Sequence, residues 1–223
     1  MKIEQSWFYD ISQSDSSEIT LAPWIRVCLF DGWNSVKKIN ISQGVTFDYY
    51  GFFTSGFVWE KHFLLLASES EGTIKVLTHT SQEKLNLKLL GQLSDSSTKV
   101  DIDIIALVQN GGDVDIDGCV QIDENIEKVE WYLHQTNIFL WESGKVRWIP
   151  TLLVRSNDVK AAHGCNIERI SDDKLFYMRS RGISREDSLK LMMGSYFERV
   201  FSELRIKKPD FTEELFAKFE GLI

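Results

Sequence analysis

Only three cysteines, three prolines and four histidines occur among the 223 residues, and the cysteine count removes two classes of site. Cys28, Cys119 and Cys165 are odd in number and far apart, which fits neither a disulfide framework nor a CxxC zinc site. Each is expected as a small, half-buried apolar side chain, with Cys165 set apart by lying two residues from His163. Lys and Arg are outnumbered by Asp and Glu, 25 to 33, and the net charge of -8 argues against a nucleic-acid surface, which needs clustered cations. The one basic cluster, Arg205-Ile206-Lys207-Lys208, suits the negative end of a helix dipole instead. No stretch approaches the roughly 18 apolar residues of a membrane span, and no N-terminal run has the layout of a signal peptide. A cytoplasmic protein without a membrane partner is expected. Also missing are the GxxxxGK[ST] phosphate loop, the GxSxG elbow and the HExxH helix, so no ATP hydrolysis is expected of this chain.

What is present is an ordinary globular balance, 43% hydrophobic and 26% charged, enough for one large core or two modest ones. From Met1 to about Ile170 the apolar residues recur with period two. The segments 72–79, 100–104 and 114–122 alternate cleanly, and Pro23, Pro150 and Pro209 interrupt none of them. Short strands between Gly, Asn, Asp and Ser clusters predict an all-β region. Alternation alone leaves sandwich, barrel and solenoid open, and no fixed repeat singles out a solenoid.

From Ser171 onward the period changes to that of helices. Ser171 reads as an N-cap, Asp172 and Asp173 lie at the positive end of the dipole, Arg179 and Arg181 lie at the other end, and Gly182 supplies a left-handed stop. A second helix opens at Ser184. Its apolar residues Leu189, Met192, Met193, Tyr196, Phe197, Val200, Phe201 and Leu204 form one unbroken stripe that must meet another surface. A third is expected from Asp210, with Glu213 completing a capping box and Phe211, Leu215, Phe216 and Phe219 as its apolar face.

Asp113, Asp115, Asp117, Gly118 and Glu124 have the spacing of an EF-hand calcium loop. An EF-hand needs a helix on either side, and Asn110-Gly111-Gly112 breaks one. Asp alternating with Val and Ile is what a strand with one wet and one buried face requires, so a strand is expected. His62, His79 and His134 have no acidic or thiol partner at ligand spacing and read as structural. The seven tryptophans, Trp131, Trp141 and Trp148 among them, are expected between layers or at an interface. His163, beside Gly164 and between the last strand and the first helix, reads on its own residues as a turn histidine satisfied by water or backbone.

Asp158-Val159-Lys160, His163-Gly164, Asp172, Leu175-Phe176-Tyr177 and Ser180-Arg181-Gly182-Ile183 together resemble the C-terminal motif of the SufB/SufD family of iron–sulfur cluster assembly scaffolds. The His-Gly pair places the chain nearer the SufD branch, and the resemblance is firm from about Gly112 to Leu204. It implies a mainly β fold with C-terminal α: a right-handed parallel β-helix over residues 1–170 with irregular rungs, then a small helical domain over 171–223. It implies a non-catalytic scaffold whose Leu175, Phe176, Tyr177, Arg179, Ser180, Arg181 and Gly182 dock a SufC-type ATPase. The β-helix would pair with a SufB-type subunit or with itself.

The same resemblance puts His163 at the SufB contact, where it helps to hold iron or a nascent cluster, with no cofactor bound stably by this chain alone. Cys165 is a shifted ligand candidate, because residues 163 and 165 of a strand share a face unless Gly164 breaks it. Two positions depart from the family. Ala161 stands where some SufD proteins carry cysteine, and Glu168 stands where the family favours Gly, implying a different turn into the helix. Strand and loop begin almost at Met1 where the family has a helical domain, so a compact form is expected. Other readings are a homodimeric relic that binds SufC without cluster chemistry, a calcium-binding β-protein, and a carbohydrate-active β-helix pairing Asp101 and Asp103 with Asp113, Asp115 and Asp117 across adjacent rungs.

Overall fold

A computed structural model describes residues 1–32, 37–54, 58–65, 68–140 and 143–222. Its strands are β1 Lys2–Ile3, β2 Phe8–Asp10, β3 Glu18–Leu21, β4 Arg26–Asp31, β5 Lys37–Ile41, β6 Thr46–Thr54, β7 Val58–Leu65, β8 Glu71–Ser81, β9 Lys84–Leu93, β10 Lys99–Gln109, β11 Asp113–Ile122, β12 Val129–Phe139, β13 Lys145–Val154 and β14 Val159–Arg169. The helices α1 Asp172–Ser180, α2 Arg185–Lys207 and α3 Pro209–Glu220 follow. Odd-numbered strands form one seven-stranded sheet, sheet A, and even-numbered strands form another, sheet B. Every strand pairing in the ladders is parallel. Strands that alternate between two parallel sheets are the coils of a parallel β-helix, and this excludes the antiparallel sandwich and barrel that alternation had left open.

The missing sequence repeat has a geometric cause. Lys2 pairs with Thr20, Thr46 with Glu71 and Asp113 with Lys145, offsets of 18, 25 and 32 residues. Each coil is in register with the next, yet coil length varies: strands grow up to β8, and the offset still moves from 28 to 31 residues among the 11-residue strands β8, β10 and β12, where loops set it. Between the sheets, Ile19, Leu29, Ile74, Ile104, Ile116 and Trp131 belong to one continuous core. Packing there is tight enough to dictate small residues. A Cβ on Gly91 would lie 2.1 Å from the Trp131 ring, so only glycine lets that ring cross β9.

Charge is buried in this core as well. Lys61 and Asp31, with side chains fully buried, pair at 2.9 Å, and the Tyr49 hydroxyl donates to the same Asp31 Oδ2 at 3.0 Å. The Lys37 ammonium donates to the Ile11 carbonyl. On the outer face of β8, buried His79 lies 2.8 Å from Gln109 Oε1. Burial holds the His79 pKa below its ordinary value, with the Gln109 contact opposing. The folded chain therefore binds fewer protons at this site than the unfolded chain, and stability is lost as pH falls through the ordinary histidine value toward the depressed one. The urea midpoint is expected to drop between about pH 7.5 and about pH 5.5, and to drop less in His79→Gln.

The second core lies outside sheet B. Tyr50, Phe52, Leu77, Ile105, Leu107 and Ile138 meet Met193, Phe197, Val200, Phe201 and Leu204 of α2 and Leu215 and Phe219 of α3. The apolar stripe of α2 thus finds the surface it requires. Ion pairs flank it: Arg199 with Asp103 of β10 at 3.3 Å, Glu203 with Lys75 of β8 at 2.9 Å, and Lys207 with Asp48 of β6 at 2.6 Å. The helix therefore crosses the strands, stepping four residues per strand, since one helical turn rises about 5.4 Å and strands lie about 4.8 Å apart.

Ser171 caps α1 by accepting from the Lys174 N–H, Gly182 takes φ +86°, and Ser184 caps α2. The expected capping box at Asp210 does not form. Helix α3 starts one residue earlier, with Pro209 in its first turn and no side-chain cap, because Arg205 takes the Glu213 carboxylate. Trp131 is buried in the core and Trp148 packs against it, whereas Trp7 and Trp24 are exposed and lie between no layers; Trp141 falls outside the described residues. Among the described residues no helix is long and apolar enough to cross a membrane, which leaves membrane-crossing strands out of account.

Candidate functional site

Strands β13 and β14 end their sheets, each with one edge carrying no partner strand among the described residues. Such edges offer unpaired backbone donors and acceptors to another chain. The two differ in what they can offer. Strand β13 contains Pro150, which lacks an N–H and blunts the edge, whereas β14 carries no proline. Strand β14 is continuous through Gly164, which answers the doubt about that residue. His163 therefore lies in mid-strand rather than at a turn, and Glu168 also belongs to the strand rather than to a different turn into the helix.

Register with β12 settles which way the β14 side chains face. His163 pairs with Leu133 and Ala161 with Trp131, both core residues, so Ala161, His163 and Cys165 share the inner face. With no further coil beyond them among the described residues, His163 and Cys165 are exposed although they face inward. Cys165 thus departs from the half-buried expectation, which Cys119 meets and buried Cys28 exceeds. The His163 ring meets Trp148 of β13 edge-on at 5.7 Å, bridging the two sheets at the last coil. It also borders a small cleft with Cys119, Trp131, Leu152 and Ala162.

Beside Cys165 the inner face of β12 turns polar. Asn137 Nδ2 donates to Cys165 Sγ at 3.2 Å and contacts the Asn166 carbonyl at 3.4 Å, while Gln135 Nε2 donates to Asn137 Oδ1 at 2.7 Å. Gln135 and Asn137 are fully buried, and Gln135 Oε1 has no partner. The Trp148 Nε1–H is likewise buried without an acceptor. Partial burial raises the Cys165 thiol pKa, opposed by the Asn137 donor. Sequence reading missed Gln135, Asn137 and the Trp148 contact. The available signal was the switch from Val129, Trp131 and Leu133 to Gln135 and Asn137 at alternate positions of one strand.

The second candidate region lies apart from this one. Helix α1 rests on α2 and buries Leu175, while Phe176 and Tyr177 are 74% and 61% exposed. Arg181 lies 5.4 Å from the Tyr177 ring, and Arg179 and Ser180 are exposed beside it. Two bare aromatic rings flanked by two cations form a surface suited to an acidic, partly apolar partner.

Two rival arrangements are not built. Asp113, Asp115 and Asp117 lie on strand β11, where Asp115 pairs with Arg147 at 2.6 Å, so the segment is no calcium loop. Asp101 and Asp103 belong to sheet B and the β11 aspartates to sheet A, all at outward positions, so the two sets do not converge on one carbohydrate-cleaving face.

Residues 43–196 match the family model described as SUF system FeS cluster assembly, SufBD core domain. The chain is 26% identical to the iron–sulfur cluster assembly protein SufD of Escherichia coli over 44% of its own length and 23% of that protein. It is 23% identical to the SufBD family protein ycf24 of Galdieria sulphuraria, covering 76% of this chain and 78% of that one. To a SufBD family protein of Mycobacterium leprae it is 31% identical over 38% of its length and 21% of the relative. It spans under a quarter of the Escherichia coli and Mycobacterium leprae relatives.

Proposed function

The chain belongs to the SufBD family of SUF-system iron–sulfur cluster assembly proteins, and on that footing we propose that it is a non-catalytic, SufD-like scaffold subunit. It docks a SufC-type ATPase through its C-terminal helices and pairs through β14 with a SufB-type subunit or a second copy. Iron or a nascent cluster is the cargo. His163 is the side chain that meets it at the pairing edge, where neutral imidazole is a fitting iron ligand beside thiolates.

The observation that carries this reading is the exposed Phe176–Tyr177 pair, with Arg179 and Arg181, on a helix tied through α2 to the solenoid. A scaffold without a phosphate loop needs an external motor, and α1 gives it a place to grip. Movement of the motor would pass through α2 to sheet B and reach β14. The last coil supports the pairing half, since Ile149, Leu153, Val154 and Ile167 are exposed apolar residues on its two strands.

The test is retention of a SufC-type ATPase by the purified full chain. Wild type is expected to co-elute with the ATPase, and the double variant Phe176→Asp, Tyr177→Asp to lose it by at least about tenfold in affinity, as for removal of interface aromatics. Both residues are exposed, so the fold should persist, with thermal melting as the control. Undiminished retention by the double variant would sink the docking assignment.

A further inference from the structure

The inner face of β14 carries a thiol and an imidazole two residues apart, and the strand beside it supplies a buried amide oxygen without a donor. The direction of that amide is fixed. The Asn166 carbonyl can only accept, so Asn137 turns Nδ2 toward it and toward Cys165 Sγ. Asn137 Oδ1 must then accept from Gln135 Nε2, which leaves Gln135 Oε1 as the orphan end of the chain. Gln135 is fully buried and is the direct register partner of Cys165 on the same inner face. A buried acceptor left unsatisfied is destabilising, so the position calls for a donor or a cation.

We propose that Cys165 Sγ, a ring nitrogen of His163 and Gln135 Oε1 form a site within this chain for a single borderline transition-metal ion, such as ferrous iron or zinc. The proposal rests on the reading of β14 as the edge that handles iron, and adds to it a ligand set contained in one subunit. Thiolate, imidazole and amide oxygen together suit such an ion better than a hard one like calcium or magnesium. Alternate residues of a strand lie about 6.6–7 Å apart and point the same way, a span that one ion with ligand bonds of about 2.0–2.3 Å bridges by side-chain rotation. On binding, the Sγ–H bond breaks, its proton leaves to solvent and a sulfur–metal bond forms, with no change of oxidation state. The Asn137 N–H supports the resulting thiolate, and the Trp148 edge orients the imidazole. Three protein donors leave a fourth position open toward the exposed strand edge, where a thiolate or sulfide from outside this chain would enter.

The experiment is an anaerobic titration of the reduced, full-length chain with cobalt(II) as the probe, followed by near-ultraviolet absorption, with zinc(II) as competitor. A thiolate-to-cobalt charge-transfer band that saturates with a single ion and is removed by zinc is expected. Cys165→Ser should abolish the band. His163→Ala and Gln135→Leu should keep it but weaken cobalt binding by about tenfold or more. Gln135→Leu removes the orphan oxygen together with the Nε2 donor to Asn137, and circular dichroism checks its fold. Absence of the band, its survival in Cys165→Ser, or undiminished affinity in Gln135→Leu would overturn the site, the last result indicating that a buried water satisfies Oε1. Cobalt binding lost in His163→Ala but lacking any thiolate band would sink this ligand set and leave the pairing-edge role of His163 standing. Loss of ATPase docking would sink the scaffold reading and leave metal binding untouched.

Discussion

Asp31→Ala is expected to destabilise the folded chain by about 3–5 kcal/mol, the cost of breaking a buried ion pair from one side. The Asp31 and Lys61 side chains are fully buried at 2.9 Å from one another, with the Tyr49 hydroxyl on the same carboxylate. Burial pulls the Lys61 pKa below its ordinary value, and Asp31 is what holds it up against that pull. Without the carboxylate, the Lys61 pKa falls further. Between that value and the ordinary lysine value the unfolded chain binds more protons than the folded one, so stability rises with pH through the window. The urea midpoint of Asp31→Ala should therefore recover part of its loss between neutral pH and about pH 10, as Lys61 sheds its proton. A variant as stable as wild type, or one whose deficit ignores pH, would show that the Asp31 charge is not what accommodates Lys61.

Phe197→Ala should cost a similar amount, about 3–5 kcal/mol, by a different route. Its ring is fully buried where three others converge, with centroids 4.6 Å from Phe201, 5.0 Å from Phe216 and 5.3 Å from Phe219. Truncation removes dispersion contacts that neighbouring rings cannot restore without leaving their own rotamers. The cavity would open at the seam between α2, α3 and sheet B. Tyr50, Phe52 and Ile105 would then become accessible as the helices loosen. A lowered melting temperature with raised binding of a hydrophobic dye checks this, and a melting temperature within about 2 °C of wild type would contradict it.

Much of this was legible in the sequence. Alternation over 72–79, 100–104 and 114–122 located β8, β10 and β11, and the stripe from Leu189 to Leu204 located α2 and its buried face. The solenoid itself was not readable from period alone, because coil offsets drift from 18 to 32 residues while the register stays intact. The resemblance supplied what the spacing hid. The start of α3 was misplaced since a capping box and a first-turn proline compete for the same stretch, and Arg205 had a prior claim on Glu213. His163 and Cys165 sharing a face followed from strand geometry. That Gln135 stands beside Cys165 did not, for which residues meet across strands thirty positions apart is decided by loop lengths that carry no local signal.

The three ion pairs under α2 act as a vernier. Reading along the helix, the charges run plus, minus, plus at Arg199, Glu203 and Lys207, and the sheet answers minus, plus, minus at Asp103, Lys75 and Asp48. A slip by one strand toward β14 would bring Glu203 to Asp103 and Lys207 to Lys75, and the opposite slip would bring Arg199 to Lys75 and Glu203 to Asp48. Either step sets like against like at two places. The three pairs thus hold α2 at a single position across the strands beneath it.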